Sequence, residues 1–68
     1  MNQDTFNQEL RKFLKTFGVT AQRDIEQAVA QGIAAKKLKG SETLKAKATL
    51  EIEGLGRITL IDGQIALG

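Results

Sequence analysis

The stretch LKAKATLEIE, Leu44–Glu53, alternates apolar and polar residues over its whole length. Successive side chains of an extended strand point to opposite faces, so one face of this segment would be apolar and the other polar. The apolar positions are Leu44, Ala46, Ala48, Leu50 and Ile52. The pattern predicts a β-strand over about 44–53 with one face in the core.

The residues after this strand predict a hairpin. Gly54-Leu55-Gly56 is typical of a three-residue hairpin loop, and it would bring Glu53 opposite Arg57 in a second strand over about 57–61. Asp62-Gly63 leaves two alternatives open: a second tight turn before a third strand over about 64–67, or a β-bulge inside one long second strand. We favour the three-stranded meander, because two helices need a wider sheet to cover them. Either alternative places Leu50, Ile52, Ile58 and Leu60 on the core face.

The first part of the chain predicts two amphipathic helices. A first helix over about 5–17 would be capped by Asp4 or Thr5 and ended by Gly18, and its apolar stripe is Phe6, Leu10, Phe13, Leu14 and Phe17. A second helix over about 20–37 would start at Thr20 and end before Gly40, and its stripe is Ile25, Ala28, Val29, Gly32 and Ile33. The expected fold class is α+β: one domain over residues 1–68, with an αα-hairpin packed on a two- or three-stranded antiparallel β-meander (ααβββ).

Composition excludes most enzyme chemistry. The 68 residues include no Cys and no His, so disulfides, thiolate or imidazole metal ligands and the common nucleophile and base systems are absent. We therefore expect a non-enzymatic protein with no catalytic residues, no cofactor and no metal.

Hydropathy gives no membrane span. The longest apolar run is Ile33-Ala34-Ala35, far below the roughly 20 residues that cross a bilayer. The first residues, Met1–Asp4, lack the positive charge and hydrophobic stretch of a signal peptide. The cytoplasm is the expected compartment.

Positive charge is concentrated in the middle of the chain. Residues 36–50 carry five lysines against the single acid Glu42, although the net charge of the chain is only +2. The candidate contacts for an anion or a nucleic acid are Lys36, Lys37, Lys39, Lys45 and Lys47. The same lysines have structural explanations, because cations favour the C-terminal end of a helix and lysines protect an edge strand from aggregation. No aromatic residue lies on the predicted sheet for bases to stack on, so we favour a protein partner over nucleic acid.

Two surfaces could bind another protein. The early half of the first strand is an unpaired edge, and antiparallel pairing of two such edges would give a homodimer. Leu55, Ile61 and Ala66 point away from the predicted core and form a second candidate contact. A chain of this length has a thin core and gains stability from a partner. The leading hypothesis is an interaction module that associates with itself or with another, unidentified protein; the alternative is weak, non-specific nucleic-acid binding through residues 36–47.

Three stretches carry a family resemblance: Phe13–Lys15 through Gly18-Val19-Thr20, then Lys37-Leu38-Lys39-Gly40, then Ala46–Leu50 before Gly54-Leu55-Gly56. On these the chain resembles a family of short uncharacterised bacterial proteins of unknown function, over nearly its whole length. Relatives tend to carry Pro at the position of Lys45. The resemblance implies a compact αα-then-β domain and no particular activity.

Overall fold

A computed structural model describes all residues from Met1 to Gly68 and contains one helix and two strands. In chain order these are α1 (Gln3–Ala34), β1 (Thr43–Ile52) and β2 (Gly56–Ala66). The chain divides into two compact units, Met1–Lys37 with the helix and Leu38–Gly68 with the sheet. The α+β class is confirmed, whereas the αα-hairpin and the third strand are not formed.

Helix α1 begins one residue after its cap, Asn2. The Asn2 side-chain oxygen accepts a hydrogen bond from the backbone N–H of Thr5 at 3.1 Å, and Asp4 adds negative charge to the first turn. The prediction that Asp4 or Thr5 would cap the helix is wrong, because Asn2 satisfies the free N–H of the first turn two residues earlier.

Helix α1 continues through Gly18 and Thr20, where the sequence predicted a break. An internal Gly costs about 1 kcal/mol relative to Ala. Ending the helix there would instead leave the carbonyl groups of the last turn and the N–H groups of the next helix in need of new partners. The prediction of two helices over 5–17 and 20–37 is therefore wrong.

The C-terminal end of α1 uses a left-handed lysine. Lys36 has φ +61°, its N–H donates to the carbonyl oxygen of Ile33 at 3.0 Å, and the N–H of Lys37 donates to that of Gly32 at 2.8 Å. These two bonds form a Schellman motif, in which the left-handed residue is usually Gly. Lys36 and Lys37 thus follow the helix, and the prediction that they complete its last turn before Gly40 is wrong.

Strands β1 and β2 form a two-stranded antiparallel sheet. The turn between them closes with the N–H of Leu55 donating to the carbonyl oxygen of Ile52 at 2.9 Å, and Gly54 and Gly56 have φ of +86° and +74°. The first strand and a turn at Gly54-Leu55 are confirmed, but Gly56 belongs to β2 and pairs with Ile52, so the predicted pairing of Glu53 with Arg57 is wrong. The preferred third strand is wrong, since Asp62 and Gly63 lie inside β2 opposite Lys47 and Ala46.

A β-bulge lies near the turn and not at Asp62-Gly63. Glu51 pairs with Arg57 and Leu50 pairs with Thr59, so Ile58 is the extra residue. Because the bulge shifts the alternation of β2 by one, Leu60 pairs with Thr49 on the polar side of β1. The prediction that Leu60 shares the core face with Leu50 is wrong for this reason.

No side chain of the chain is buried. The expected core positions Ile52, Ile58 and Leu60 are 45%, 50% and 44% exposed. The prediction of a core closed by two helices is wrong, since the chain has the single helix Gln3–Ala34.

Candidate interaction surfaces

The first candidate surface, the helix stripe, is a row of apolar and small residues along α1. Its large members are between 41% and 53% exposed: Phe6, Leu10, Phe13, Leu14, Phe17 and Ile25. Its small members are Ala21, Ala28 and Gly32. An exposed row of this kind on a long helix is typical of a surface that packs against another chain.

The second candidate surface is the apolar face of the hairpin. Paired residues of an antiparallel sheet share a face, so the register defines this face as Leu44, Ala46, Ala48 and Leu50 with Thr59, Ile61, Gly63 and Ile65. Most of its side chains are half-buried, but Ile61 is 60% exposed. The face is the confirmed apolar side of β1, extended by a different set of β2 residues from the predicted one.

The opposite side, the lysine face, carries polar residues. Its members are Thr43, Lys45, Lys47 and Thr49 with Leu60, Asp62, Gln64 and Ala66. Lys47 lies directly across from Asp62. A shallow depression on this hairpin is lined by Lys45, Ala46, Asp62, Gly63 and Gln64.

The third candidate surface is the outer edge of β1. The N–H of Leu67 donates to the carbonyl oxygen of Glu42 at 2.8 Å, in continuation of the strand register, so Glu42 and Leu67 form a hydrogen-bonded pair. Such pairs alternate along antiparallel strands with residues whose N–H and C=O point outward. The outward-pointing backbone groups of β1 are therefore those of Thr43, Lys45, Lys47 and Thr49.

The five lysines predicted to contact an anion are all exposed but belong to different elements. Lys36 and Lys37 end the helical unit, Lys39 lies in the loop before β1, and Lys45 and Lys47 lie on the lysine face. Two of them therefore belong to the helical unit and three to the sheet unit.

The three residues predicted as a protein contact do not share a surface. Leu55 is at the tip of the turn and is 71% exposed. Ile61 pairs with Ala48 on the apolar face, while Ala66 pairs with Thr43 on the lysine face. The bulge at Ile58 explains the separation, because it turns Ile61 to the side opposite Ala66.

Sequence reasoning missed the role of Glu42. Its carboxylate accepts backbone N–H bonds from Lys39 at 2.8 Å, Gly40 at 2.9 Å and Ser41 at 3.1 Å. These bonds, that from Lys39 foremost, hold the pKa of the Glu42 carboxyl below its ordinary value of 4.5. The three bonds to the Glu42 carboxylate organise the loop before β1. The only sequence signal for them was an acid directly after Gly40-Ser41.

No group of three or more His, Cys, Asp or Glu side chains is placed to hold a metal ion. Glu51 lies opposite Arg57, where the sequence had placed Glu53. The structure contains no helix that combines the length and the hydrophobicity needed to cross a membrane.

Comparison with known proteins gives a family and nothing further. No curated protein and no solved structure matches the chain. One family profile matches residues 1–68, which is the full length of the sequence, and its description is that of a family of unknown function. The chain belongs to this family, DUF6494.

Proposed function

We propose that the protein is a non-enzymatic interaction module that associates with a second copy of itself through the outer edge of β1. The observation that carries the proposal is that neither the helical unit nor the sheet unit, taken by itself, buries a side chain. Folding must offset about 1–2 kcal/mol of backbone entropy for every ordered residue, mainly by removing apolar surface from water. A chain that keeps its apolar side chains exposed gains this stabilisation by binding another chain.

The edge of β1 is suited to pairing with a second copy. Its outward backbone groups at Thr43, Lys45, Lys47 and Thr49 can form a new antiparallel ladder. With Thr49 on the two-fold axis, Lys47 would face Glu51 of the second copy. Opposite charges directly across a strand pair are favourable, and this register puts no two lysines opposite each other.

The proposed pairing also extends the apolar face of the hairpin. In the register centred on Thr49, Ala48 would lie beside Leu50 of the second copy and Ala46 beside its Ile52. The product is a four-stranded sheet, since each hairpin supplies two strands. Three or more strands with an apolar face form a more stable unit than an isolated hairpin.

A proline substitution tests the edge. Lys47→Pro removes one outward N–H without breaking a bond inside the hairpin, because Pro is tolerated at outward positions of edge strands. Its matched control is Lys47→Ala, which removes the same charge and keeps the N–H. We expect Lys47→Pro to weaken association through β1 by about tenfold or more, from the loss of two intermolecular bonds in a symmetric pair, and Lys47→Ala to weaken it much less. Equal association of the two variants in sedimentation equilibrium would contradict the proposal.

A second candidate function is weak, non-specific binding of nucleic acid. The supporting observation is that five lysines are exposed: Lys36, Lys37, Lys39, Lys45 and Lys47. The carboxylate of Glu42, the one acid among them, accepts hydrogen bonds from backbone N–H groups. The test is a titration with single- and double-stranded oligonucleotides at low and at moderate salt. Binding that falls steeply with salt would support this function, and no binding at low salt would eliminate it.

A further inference from the structure

Most of the helix stripe repeats every eleven residues, the exception being Phe13, which is followed at this spacing by Asp24. Phe6, Phe17 and Ala28 are spaced by eleven, as are Leu10, Ala21 and Gly32, and as are Leu14 and Ile25. This repeat corresponds to about 3.67 residues per turn, close to the α-helical value, so the stripe stays on one side of α1 with a slow drift. Val19 lies outside it, about 200° around the helix from Phe17.

Side-chain size changes along the stripe. The N-terminal half carries three phenylalanines and two leucines, whereas the C-terminal half carries mainly Ala and Gly with the single large residue Ile25. Two parallel helices would place Phe against Phe at one end and Ala against Ala at the other. Two antiparallel helices would place large residues against small ones along most of the contact, except at Ile25, which permits a more even helix separation and closer packing than the parallel arrangement.

The exposed area of the stripe suits a second copy. Its six large side chains are about half exposed, and a large apolar residue that is half exposed leaves on the order of 80–100 Å² to cover. Two copies would bury about 1,000–1,200 Å² in total, at the lower end of the range for specific interfaces. We infer that the helix stripe of α1 is a homotypic docking surface that pairs antiparallel with the stripe of a second copy.

This inference shares with the proposed function only the idea that the chain associates with itself. It concerns the helix stripe, whereas the proposed function concerns the outer edge of β1. The β1 edge and the helix stripe are both two-fold contacts, and together they build assemblies larger than a dimer. Lys47→Pro should leave a dimer held by α1, and Ile25→Lys should leave a dimer held by β1. A monomeric Lys47→Pro chain would overturn the helix inference alone, and a monomeric Ile25→Lys chain would overturn the edge proposal alone.

The side of α1 is tested by a matched pair of substitutions in the Lys47→Pro chain. Ile25→Lys places a charge in the stripe of both copies and should abolish the remaining dimer. Val19→Lys places the same charge on the opposite side of the helix, at a residue of similar exposure (51% against 43%), and should leave the dimer intact. Equal effects of the two substitutions in sedimentation equilibrium would overturn the inference.

Cross-linking gives an independent readout, because the chain has no cysteine of its own. Asn7→Cys and Val29→Cys lie on the same flank and about 33 Å apart along one helix. A short bismaleimide should join the two variants to each other when they are mixed and should not join either variant to itself. Self-linking of each variant, or no linking at all, would overturn the antiparallel pairing.

Discussion

The backbone N–H of Lys37 donates to the carbonyl oxygen of Gly32 at 2.8 Å, and the residue directly before this donor, Lys36, has φ +61°. A left-handed conformation costs a residue with a Cβ atom about 1–2 kcal/mol, and Gly is free of this cost. The hydrogen bonds at the end of α1 therefore hold Lys36 in the left-handed conformation although this conformation is strained for lysine.

Lys36→Gly should raise the free energy of unfolding. The relief of left-handed strain exceeds the extra unfolded-state freedom of Gly, and we expect a gain of about 0.5–1 kcal/mol. Lys37→Gly is the control, because it removes the same charge at a residue without positive φ and should not stabilise. Urea unfolding followed by far-UV circular dichroism at one protein concentration measures both, and stabilisation by Lys37→Gly as large as that by Lys36→Gly would contradict the assignment.

Gly18→Ala should also stabilise the chain. Gly18 is inside α1, and a Cβ added there would meet no atom within 4 Å. Ala in a helix interior is favoured over Gly by about 0.5–1 kcal/mol. Had Gly18 ended a first helix in the left-handed conformation, the same change would destabilise, so its sign separates one continuous helix from two.

Gly40→Ala provides the contrast for that experiment. Gly40 has φ +98°, a conformation that Ala adopts only with strain, and the substitution should lower the unfolding free energy. Opposite signs for Gly18→Ala and Gly40→Ala are expected in urea unfolding at matched protein concentration. A loss of stability in both variants would argue against the continuous helix.

The prediction of helix was right for both segments and wrong about continuity. The periods of Phe6–Phe17 and of Ile25–Ile33 are real helical periods, but Gly18 and Thr20 allow a break without requiring one. Local signals at Gly18 compete with the loss of a full turn of backbone hydrogen bonds, and the second effect is not visible in residue types. The same reasoning explains Lys36, which no propensity scale would place in a left-handed helix end.

Acid titration should reveal the bonds to Glu42. Because the pKa of Glu42 is lowered in the folded chain, its bonds to the loop contribute stability above the ordinary value of 4.5, and this contribution is lost as the pH falls through the lower, folded-state pKa. The amide resonances of Lys39, Gly40 and Ser41 should shift together with a midpoint below 4.5. A common midpoint at or above that value would contradict the hydrogen bonding.

Glu42→Gln is the control for the titration. The amide keeps one acceptor oxygen but has no charge to lose, so the shared titration of the three loop amides should disappear. If those amides still titrate together in the variant, another group must be responsible for the shift.

Strand β1 and the glycine turn were predictable, because alternation and Gly54-Leu55-Gly56 are both local signals. The bulge was not, since it depends on which residues of two strands lie opposite each other. Asp62-Gly63 has the residues of a tight turn, yet ten residues of β1 pair along the full length of β2, and this ladder outweighs the local preference. The candidate contacts Ile61 and Ala66 were assigned to one face for the same reason.

Deletion of Ile58 should preserve the hairpin. Ile58 is the unpaired residue of the bulge, so its removal leaves Glu51 opposite Arg57, Leu50 opposite Thr59 and Ala48 opposite Ile61, with unchanged faces. Cross-strand nuclear Overhauser contacts between the residues equivalent to Ala48 and Ile61 should persist. Deletion of Leu60 is the control, because it shifts one side of β2 by one residue and turns either Thr59 or Ile61 to the lysine face. The bulge would lie elsewhere in β2 if the Leu60 deletion kept both the Ala48–Ile61 and the Leu50–Thr59 contacts. The same conclusion would follow if the Ile58 deletion lost them.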